Sequence, residues 1–325
     1  MEPDQVRWAK THKPALGGLS FYINFLASFL VYLFFVEGEQ DHTSQSIQIG
    51  IFSAVTVGFF AGLADDAFNT VPWLKLSTQI ICGLLLVVFN IVLPLTDIFL
   101  LDAILTVLWT IAVMNSINML DNMDGITSIV SISILVCAAI SAQFWNFSEL
   151  FFTLICGGTV AALVGFLWLN WHPSKIYMGD TGSQMLGALL SGVGILFFWS
   201  DTSVVVHDMW WTKLALVFTA FVIPIGDSLT VSINRIRRGQ SPMVGGRDHT
   251  THHLSYAGLT DRQVALVMIL ISAISILSFI GFQVVQSENL TLLLGLVFAI
   301  STGIILFLYS TTQWKKTKAR FKESL

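Results

Sequence analysis

The chain of 325 residues is 54% hydrophobic and only 11% charged, with 16 lysines and arginines against 20 acidic residues and a formal net charge of −4. A mean hydropathy of +0.76 lies far above the range of a water-soluble domain, and the charge balance excludes a basic nucleic-acid binder. Three cysteines, Cys82, Cys137 and Cys156, stand inside apolar runs without Cys-x-x-Cys spacing, so they read as buried packing residues.

Crossing the ~30 Å hydrocarbon core takes about 20 mostly apolar residues. In chain order, ten runs approach that length, at about 17–36, 46–64, 74–93, 98–115, 126–142, 149–169, 182–199, 210–232, 264–284 and 290–310. None alternates apolar with polar residues, which excludes a membrane β-barrel. The expectation is an all-α, polytopic helical membrane protein with about ten transmembrane helices, organised as one domain over 1–325. Residues 1–16 are polar and the first apolar run is long enough to span, so no cleavable signal peptide is expected.

Threading these runs alternately puts 1–16, 65–73, 116–125, 170–181, 233–263 and 311–325 on one side of the membrane. Every lysine and arginine except Lys213 lies there or at the adjoining span ends. The positive-inside rule makes that side cytoplasmic. The tail "WKKTKARFKESL" reads as an anchor on anionic lipid. Acid- and histidine-bearing stretches gather on the same side, whereas the opposite connections, "VEGEQDHTSQ" and "SDTSVVVHDMW", read as simple turns.

Asp65 and Asp66 end the second run, where the helix macrodipole is already negative. Two adjacent carboxylates there repel each other unless a cation sits nearby, and a hard cation such as Mg²⁺ answers that need. A solvated helix end is the plainer explanation of such a pair taken alone. Next come Asn118, Asp121 and Asp124 at intervals of three in "NSINMLDNMDG". If the fourth helix continues to Asp124, they share an arc of about 120°. The spacing does not fit a calcium-binding EF-hand loop.

"MGDTGS" opens the seventh run, preceded by Asn170 and Lys175. Small residues at a helix start expose N–H groups that suit phosphate oxygens, and Asp180 can serve a bridging metal. An aspartic protease would need two such lobes, and an intramembrane di-aspartyl protease a glycine where Tyr177 stands. Asp227, in "FVIPIGDSLT", is an ionisable residue near the inner end of the eighth run, with pairing to Arg235 or Arg237 as its structural alternative. The longest loop then carries Arg247, Asp248, His249, His252 and His253 beyond the Gly245-Gly246 pair, a set suited to a diphosphate and not to a His-Glu-x-x-His zinc site.

Together "KPALGG", "DDAFN", "NMLDNMDG", "NWHPSKIYMGDTGS" and "GRDHTTHH" resemble, in order and over nearly the whole chain, the motifs of the polyprenyl-phosphate N-acetylhexosamine-1-phosphate transferases of glycosyl transferase family 4 type. The resemblance implies transfer of a sugar-1-phosphate from a UDP-N-acetylhexosamine to undecaprenyl phosphate, releasing UMP, with Mg²⁺ as cofactor and Mn²⁺ as a substitute. It implies a bacterial inner membrane location with the active site facing the cytoplasm, a lipid bilayer around the chain, and leaves a homodimer open. By position it assigns Asp65, Asp66 and Asp180 to catalysis, with Asp180 and Asp65 on the metal. It assigns Lys13, Asn118, Asp121, Asp124, Asn170, Arg247, His249, His252 and His253 to substrate binding. The sequence "DHTTHHLSYAGLTDRQ" replaces the three consecutive histidines of the phospho-MurNAc-pentapeptide branch and looks like the UDP-GlcNAc branch. Many relatives carry one further helix before this first motif. Of the other classes, a secondary transporter is the main alternative, since intramembrane acids also couple ions. Transporters place such acids near the midplane, and here they gather at one face.

Overall fold

The computed structural model describes residues 13–35, 42–96, 98–144, 150–200, 210–241, 246–284, 290–314 and 317. Every described element is helical: α1 (Gly17–Phe35), α2 (His42–Phe68), α3 (Pro72–Val88), α4 (Phe99–Leu120), α5 (Ile126–Phe144), α6 (Leu150–Asn170), α7 (Gly179–Gly194, continued by a π-helical turn Ile195–Trp199), α8 (Trp210–Ala220), α9 (Val222–Arg237), α10 (Thr250–Tyr256), α11 (Asp261–Val284) and α12 (Leu290–Gln313). Helices satisfy their backbone groups internally, which is what lets such apolar sequence persist in lipid.

Each of the ten apolar runs overlaps a helix, the third running on past the end of α3 at Val88, but they do not make ten equal spans. Among the described residues seven helices are long and apolar enough to cross a membrane, or eight when a bent pair counts as one, while Pro72–Val88 and Ile126–Ala142 are shorter apolar helices. The bent pair corrects the eighth run, expected as one continuous helix. It breaks at Phe221 into α8 and α9 with an angle of 82°. The cause is Pro224, whose ring displaces the carbonyl four residues back and offers it no N–H, so α8 ends at Ala220.

The bundle is built around α7. The span Gly179–Trp199 is 94% buried, against 22–44% for the other six spans, and its largest packing partners are α2 and α4. Glycine allows the tightest approach: a Cβ at Gly62 of α2 would stand 2.1 Å from the carbonyl oxygen of Asp180. That contact lies one turn before Asp65 and Asp66, so close packing of α2 on α7 brings both acids to the start of α7. The connection to α3 is short for physical reasons. Asn69 takes the left-handed conformation (φ 49°) and returns its N–H to the Asp65 carbonyl at 2.8 Å, and Pro72 opens α3 without needing a donor. Cys82, Cys137 and Cys156 are all buried and unpaired.

Candidate active site

Successive residues on a helix point about 100° apart, so adjacent aspartates cannot face the same partner. Asp65, 7% exposed, turns toward α3. Its Oδ1 accepts from the Thr70 N–H at 2.9 Å and the Thr70 hydroxyl at 2.5 Å, and its Oδ2 meets Lys75 Nζ at 2.6 Å. The same ammonium lies 2.8 Å from Asp180 Oδ2. Asn118 Nδ2 donates to Asp180 Oδ1 at 2.8 Å and to Ser183 Oγ at 2.9 Å, fixing the other side of that carboxylate. One cation thus joins two carboxylates from α2 and α7, at a place where Asp180 and Lys75 remain 27% and 34% exposed.

Asp66 does something different. Its Oδ1 accepts from the Asp180 N–H at 3.0 Å, and its Oδ2 accepts from the Thr181 N–H at 2.9 Å and the Thr181 hydroxyl at 2.6 Å. It caps α7 from outside, and Gly179 (φ +74°) is required beside it because a Cβ there would come within 2.5 Å of Asp66 Oδ2. This corrects the expectation that the first N–H groups of α7 stand open to phosphate: those of Asp180 and Thr181 are taken by Asp66.

No group of three or more histidine, cysteine or acidic side chains among the described residues is gathered to hold a metal by itself. Two carboxylates converging on one cation position are nevertheless the donor set that Mg²⁺ uses, with waters and substrate phosphate completing the shell. Asp65 and Asp180 therefore fit a shared divalent ion. The concentration of negative charge extends to Asp121, whose carboxyl is pushed up to about 7 by burial and by the Asp180 and Asp66 charges.

The fourth helix does not continue to Asp124. α4 stops at Leu120, Asp121 follows with ψ 47°, and Gly125 takes φ +80°, so Asn118, Asp121 and Asp124 do not share a helical face. Asp124 turns instead to the loop after α6, accepting from the Ser174 N–H (3.0 Å) and hydroxyl (2.8 Å), with His172 Nδ1 at 3.1 Å. Lys13 Nζ donates to Ser174 Oγ at 2.9 Å. Asn170 accepts from the Gly125 N–H at 2.8 Å and donates to the Ile176 carbonyl at 2.8 Å. Lys13, Asp124 and Asn170 are brought together as braces of the loop that leads into α7.

The histidine loop is a third assembly. His249 Nδ1 lies 2.9 Å from Asp227 Oδ2, and the Thr250 N–H and hydroxyl donate to Asp227 Oδ1 at 2.8 and 2.7 Å. Asp227 is thus paired to the loop and not to Arg235 or Arg237. Arg235 instead holds Asp248 through two bonds, Nε at 3.0 Å and Nη2 at 2.6 Å, with Arg238 also on that carboxylate. These guanidinium groups hold Asp248 well below the usual carboxylate range. His252 and His253 are 2% and 3% exposed. Burial depresses them to about 3 and about 4, so both imidazoles are neutral at pH 7. Thr251 donates to Asn122 Oδ1 at 2.7 Å, tying α10 to the turn after α4. Arg247 is half-buried, and its carbonyl accepts from the Tyr256 hydroxyl at 3.1 Å. Gly245 and most of the basic tail lie outside the described residues.

Sequence reasoning missed Lys75, counted there only as one more inward-facing positive charge. Its signal was available, since a lysine in the first turn of a helix joined to Asp65 by a short connection is placed to reach back to it.

Residues 48–198, which hold Asp65, Lys75, Asn118 and Asp180, match the family model of Glycosyl transferase family 4. Over that segment, a little under half of its length, the chain is similar to the family. Among its curated relatives, a "Probable undecaprenyl-phosphate N-acetylglucosaminyl 1-phosphate transferase" of Bacillus subtilis is 27% identical over 91% of this chain and 81% of its own length. A "Phospho-N-acetylmuramoyl-pentapeptide-transferase" of Streptococcus uberis is 32% identical over 58% of this chain and 60% of its own length. One of the same name from Staphylococcus saprophyticus is 28% identical over 71% and 73%. The match to Glycosyl transferase family 4 gives no support to the secondary-transporter alternative.

Proposed function

We propose that this chain transfers N-acetylhexosamine-1-phosphate, with GlcNAc-1-phosphate as the favoured unit, from a UDP-sugar to undecaprenyl phosphate at the cytoplasmic face of a bacterial membrane. The observation that carries the reading is the pair Asp65 and Asp180, converging on one cation inside the segment that matches Glycosyl transferase family 4. The Bacillus subtilis relative, matched over most of both chains, favours the GlcNAc donor over the pentapeptide donor.

Phosphoryl transfer asks a protein for position and charge neutralisation, and a lipid phosphate is already a nucleophile. An oxygen of the lipid phosphate forms a bond to the sugar-bearing phosphorus, and the bond from that phosphorus to the bridging oxygen breaks, so that UMP departs with the electron pair. Asp65 accepts the proton of a singly ionised lipid phosphate. Lys75, released from Asp65 and Asp180 when a divalent ion takes its place between them, would offset negative charge at the reacting phosphates. Asn118 holds Asp180 in place, and Asp66 fixes the helix that carries it. Asp65 and Asp180 would hold Mg²⁺, or Mn²⁺ in its stead, which supplies charge neutralisation of the diphosphate when bound. The neutral His252 and His253 would present hydrogen-bonding nitrogens, not positive charge, to a donor diphosphate.

The test is UMP release by detergent-purified protein with undecaprenyl phosphate and Mg²⁺, supplied with UDP-GlcNAc, UDP-GalNAc or UDP-MurNAc-pentapeptide and repeated with EDTA. Release from UDP-GlcNAc that needs both lipid and metal is the expected result. Release from the pentapeptide donor alone would move the chain to the other branch.

A further inference from the structure

We propose that Gln79, Asn115 and Gln184 are positioning residues: their side-chain amides form one layer across α3, α4 and α7 that sets the register of the three helices and so brings Lys75 and Asn118 onto Asp180. The proposal takes its catalytic meaning from the transferase reading above. Each amide stands one helical turn inward from a site residue on its own helix. Lys75 and Gln79 are four residues apart on α3, and Asp180 and Gln184 are four apart on α7. Asn115 precedes Asn118 by three on α4, which carries Asn118 in its last turn. Spacings of three and four keep each pair on one face of its helix. At 1.5 Å per residue the layer lies about 4.5–6 Å behind the site.

The layer is bonded crosswise. Gln79 Nε2 donates to Asn115 Oδ1 at 3.1 Å, and Asn115 Nδ2 returns a bond to Gln79 Oε1 at 3.0 Å. Gln79 Nε2 also reaches Gln184 Oε1 at 3.5 Å, so one amide of α3 touches both α4 and α7. Asn115 Nδ2 is anchored on its own helix by the Ile111 carbonyl at 3.0 Å. Gln79 and Gln184 are both buried.

Packing alone sets this register poorly. Inward of the layer the helices meet through glycine: a Cβ at Gly83 of α3 would stand 2.9 Å from Val107 Cα, and one at Gly187 of α7 2.7 Å from Met114 Cα, both on α4. Such smooth contacts allow close approach without specifying a position along the axis. A reciprocal amide pair does specify one, because a small slide breaks both of its bonds, and a single buried amide is known to fix helix register at a cost in stability. The cost is present here. Gln184 Nε2 has no hydrogen-bond partner, and a carbon layer of the same shape would bury no polar atom. A layer that adds little stability, placed directly behind residues whose contacts to Asp180 are both 2.8 Å, is explained by what it positions.

Two variants test the assignment. Gln79→Met with Asn115→Leu and Gln184→Met removes the layer and leaves no orphan amide, whereas Gln79→Asn with Asn115→Gln keeps the pair and exchanges its members. Two quantities are read from the full-length protein in detergent: UMP release, and the rate at which an N-hydroxysuccinimide ester acylates Lys75 in EDTA, followed by peptide mass spectrometry. In the triple variant UMP release falls about tenfold or more, as small misplacements of reacting groups cause. Lys75, no longer held between two carboxylates, is acylated about threefold faster or more, and the melting temperature does not fall. A layer that serves stability alone gives the reverse, a lower melting temperature with turnover per folded molecule and Lys75 acylation unchanged, and that result overturns the proposal. The exchanged pair recovers most of the loss in both readings. A loss as large as in the triple variant would show that side-chain shape, not amide pairing, sets the register, and overturns it too. Should the triple variant not fold, Gln79→Met alone gives the same two changes at smaller size, and wild-type values of both there overturn the proposal. Failure of the wild-type protein to release UMP from any donor would sink the transferase reading instead, and Lys75 acylation would still decide the register.

Discussion

Two acidic assemblies in this molecule use the same residue types in opposite ways. At the α2–α7 contact, Asp65 and Asp180 share a single ammonium, and the Lys75 and Asp180 side chains remain about a third exposed. At the histidine loop, Asp248 is clamped by two guanidinium groups and Asp227 by an imidazole, an N–H and a hydroxyl, with both acids buried. The first assembly has a cation that a substrate or metal can displace from an open face. The second has each charge answered inside the protein. What separates the two carboxylate clusters is the availability of the partner, since aspartate and basic residues occur in both regions.

That contrast breaks most visibly when a closed pair is opened. Asp248→Ala leaves the buried Arg235 guanidinium without its carboxylate, and loss of one partner of a buried pair costs about 3–5 kcal/mol. The detergent-solubilised variant is expected to melt well below wild type and to lose turnover only because it unfolds. A variant of normal melting temperature would show the loop to be less closed than its geometry implies. The open site should respond in the reverse sense. Asp65→Asn and Asp180→Asn are each expected to reduce UMP release by about 10²–10³-fold, the size of removing one electrostatic group at a developing charge, while the melting temperature stays within a degree or two. Near-normal turnover in either variant removes that residue from the site.

Much of this division was beyond the reach of the sequence, for identifiable reasons. The apolar runs locate every long helix because lipid imposes the same requirement on each. The break at Phe221 needed attention to Pro224, which is visible in the sequence but gains its meaning only from the carbonyl at Ala220. Asp65, Asp66 and Asp180 stand out as acids at span ends. Whether an acid faces the open site or caps a neighbour depends on a contact across more than a hundred residues, as between Asp66 and Thr181. The same holds for Lys75 with Asp180, and for Asp124 and Asn170, which position the loop into α7 through partners that spacing alone does not name.

The pH response sharpens the comparison further. His252 and His253 lie at about 3 and about 4 in the folded protein, below the ordinary 6.5, so the unfolded chain binds more protons and the stability they confer is complete above about 6.5 and lost as pH falls toward 4. Asp121, pushed up from 3.8 to about 7, acts in the opposite direction over nearly the same window. Each histidine contributes a rise in stability of up to about 1.4 kcal/mol per pH unit between about 4.5 and 6, and raised carboxyls such as Asp121 work against it. Thermal denaturation in EDTA measures this. Replacing both imidazoles, as His252→Asn with His253→Asn, should lower the slope relative to wild type, because the histidine contribution is removed and the opposing carboxyls remain. An unchanged slope in the double variant would mean that other groups carry it.

The smallest effect concerns Asp66, and it separates two adjacent residues that the sequence presents as equals. Asp66→Asn keeps one oxygen but turns an N–H₂ toward the donors of Asp180 or Thr181, and it removes a negative charge from the positive end of α7. Loss of a helix cap costs about 0.5–2 kcal/mol, so the variant should melt below both wild type and Asp65→Asn. Its turnover falls because Asp180 shifts, which predicts a higher Mg²⁺ concentration for half-maximal rate and partial recovery at saturating metal. Asp65→Asn is expected to recover nothing under the same conditions, since in the proposed reaction the lost carboxylate is itself the proton acceptor and ligand. If the two variants instead lose stability equally and neither responds to added metal, the pair acts as one unit and the division between a reacting and a positioning aspartate fails.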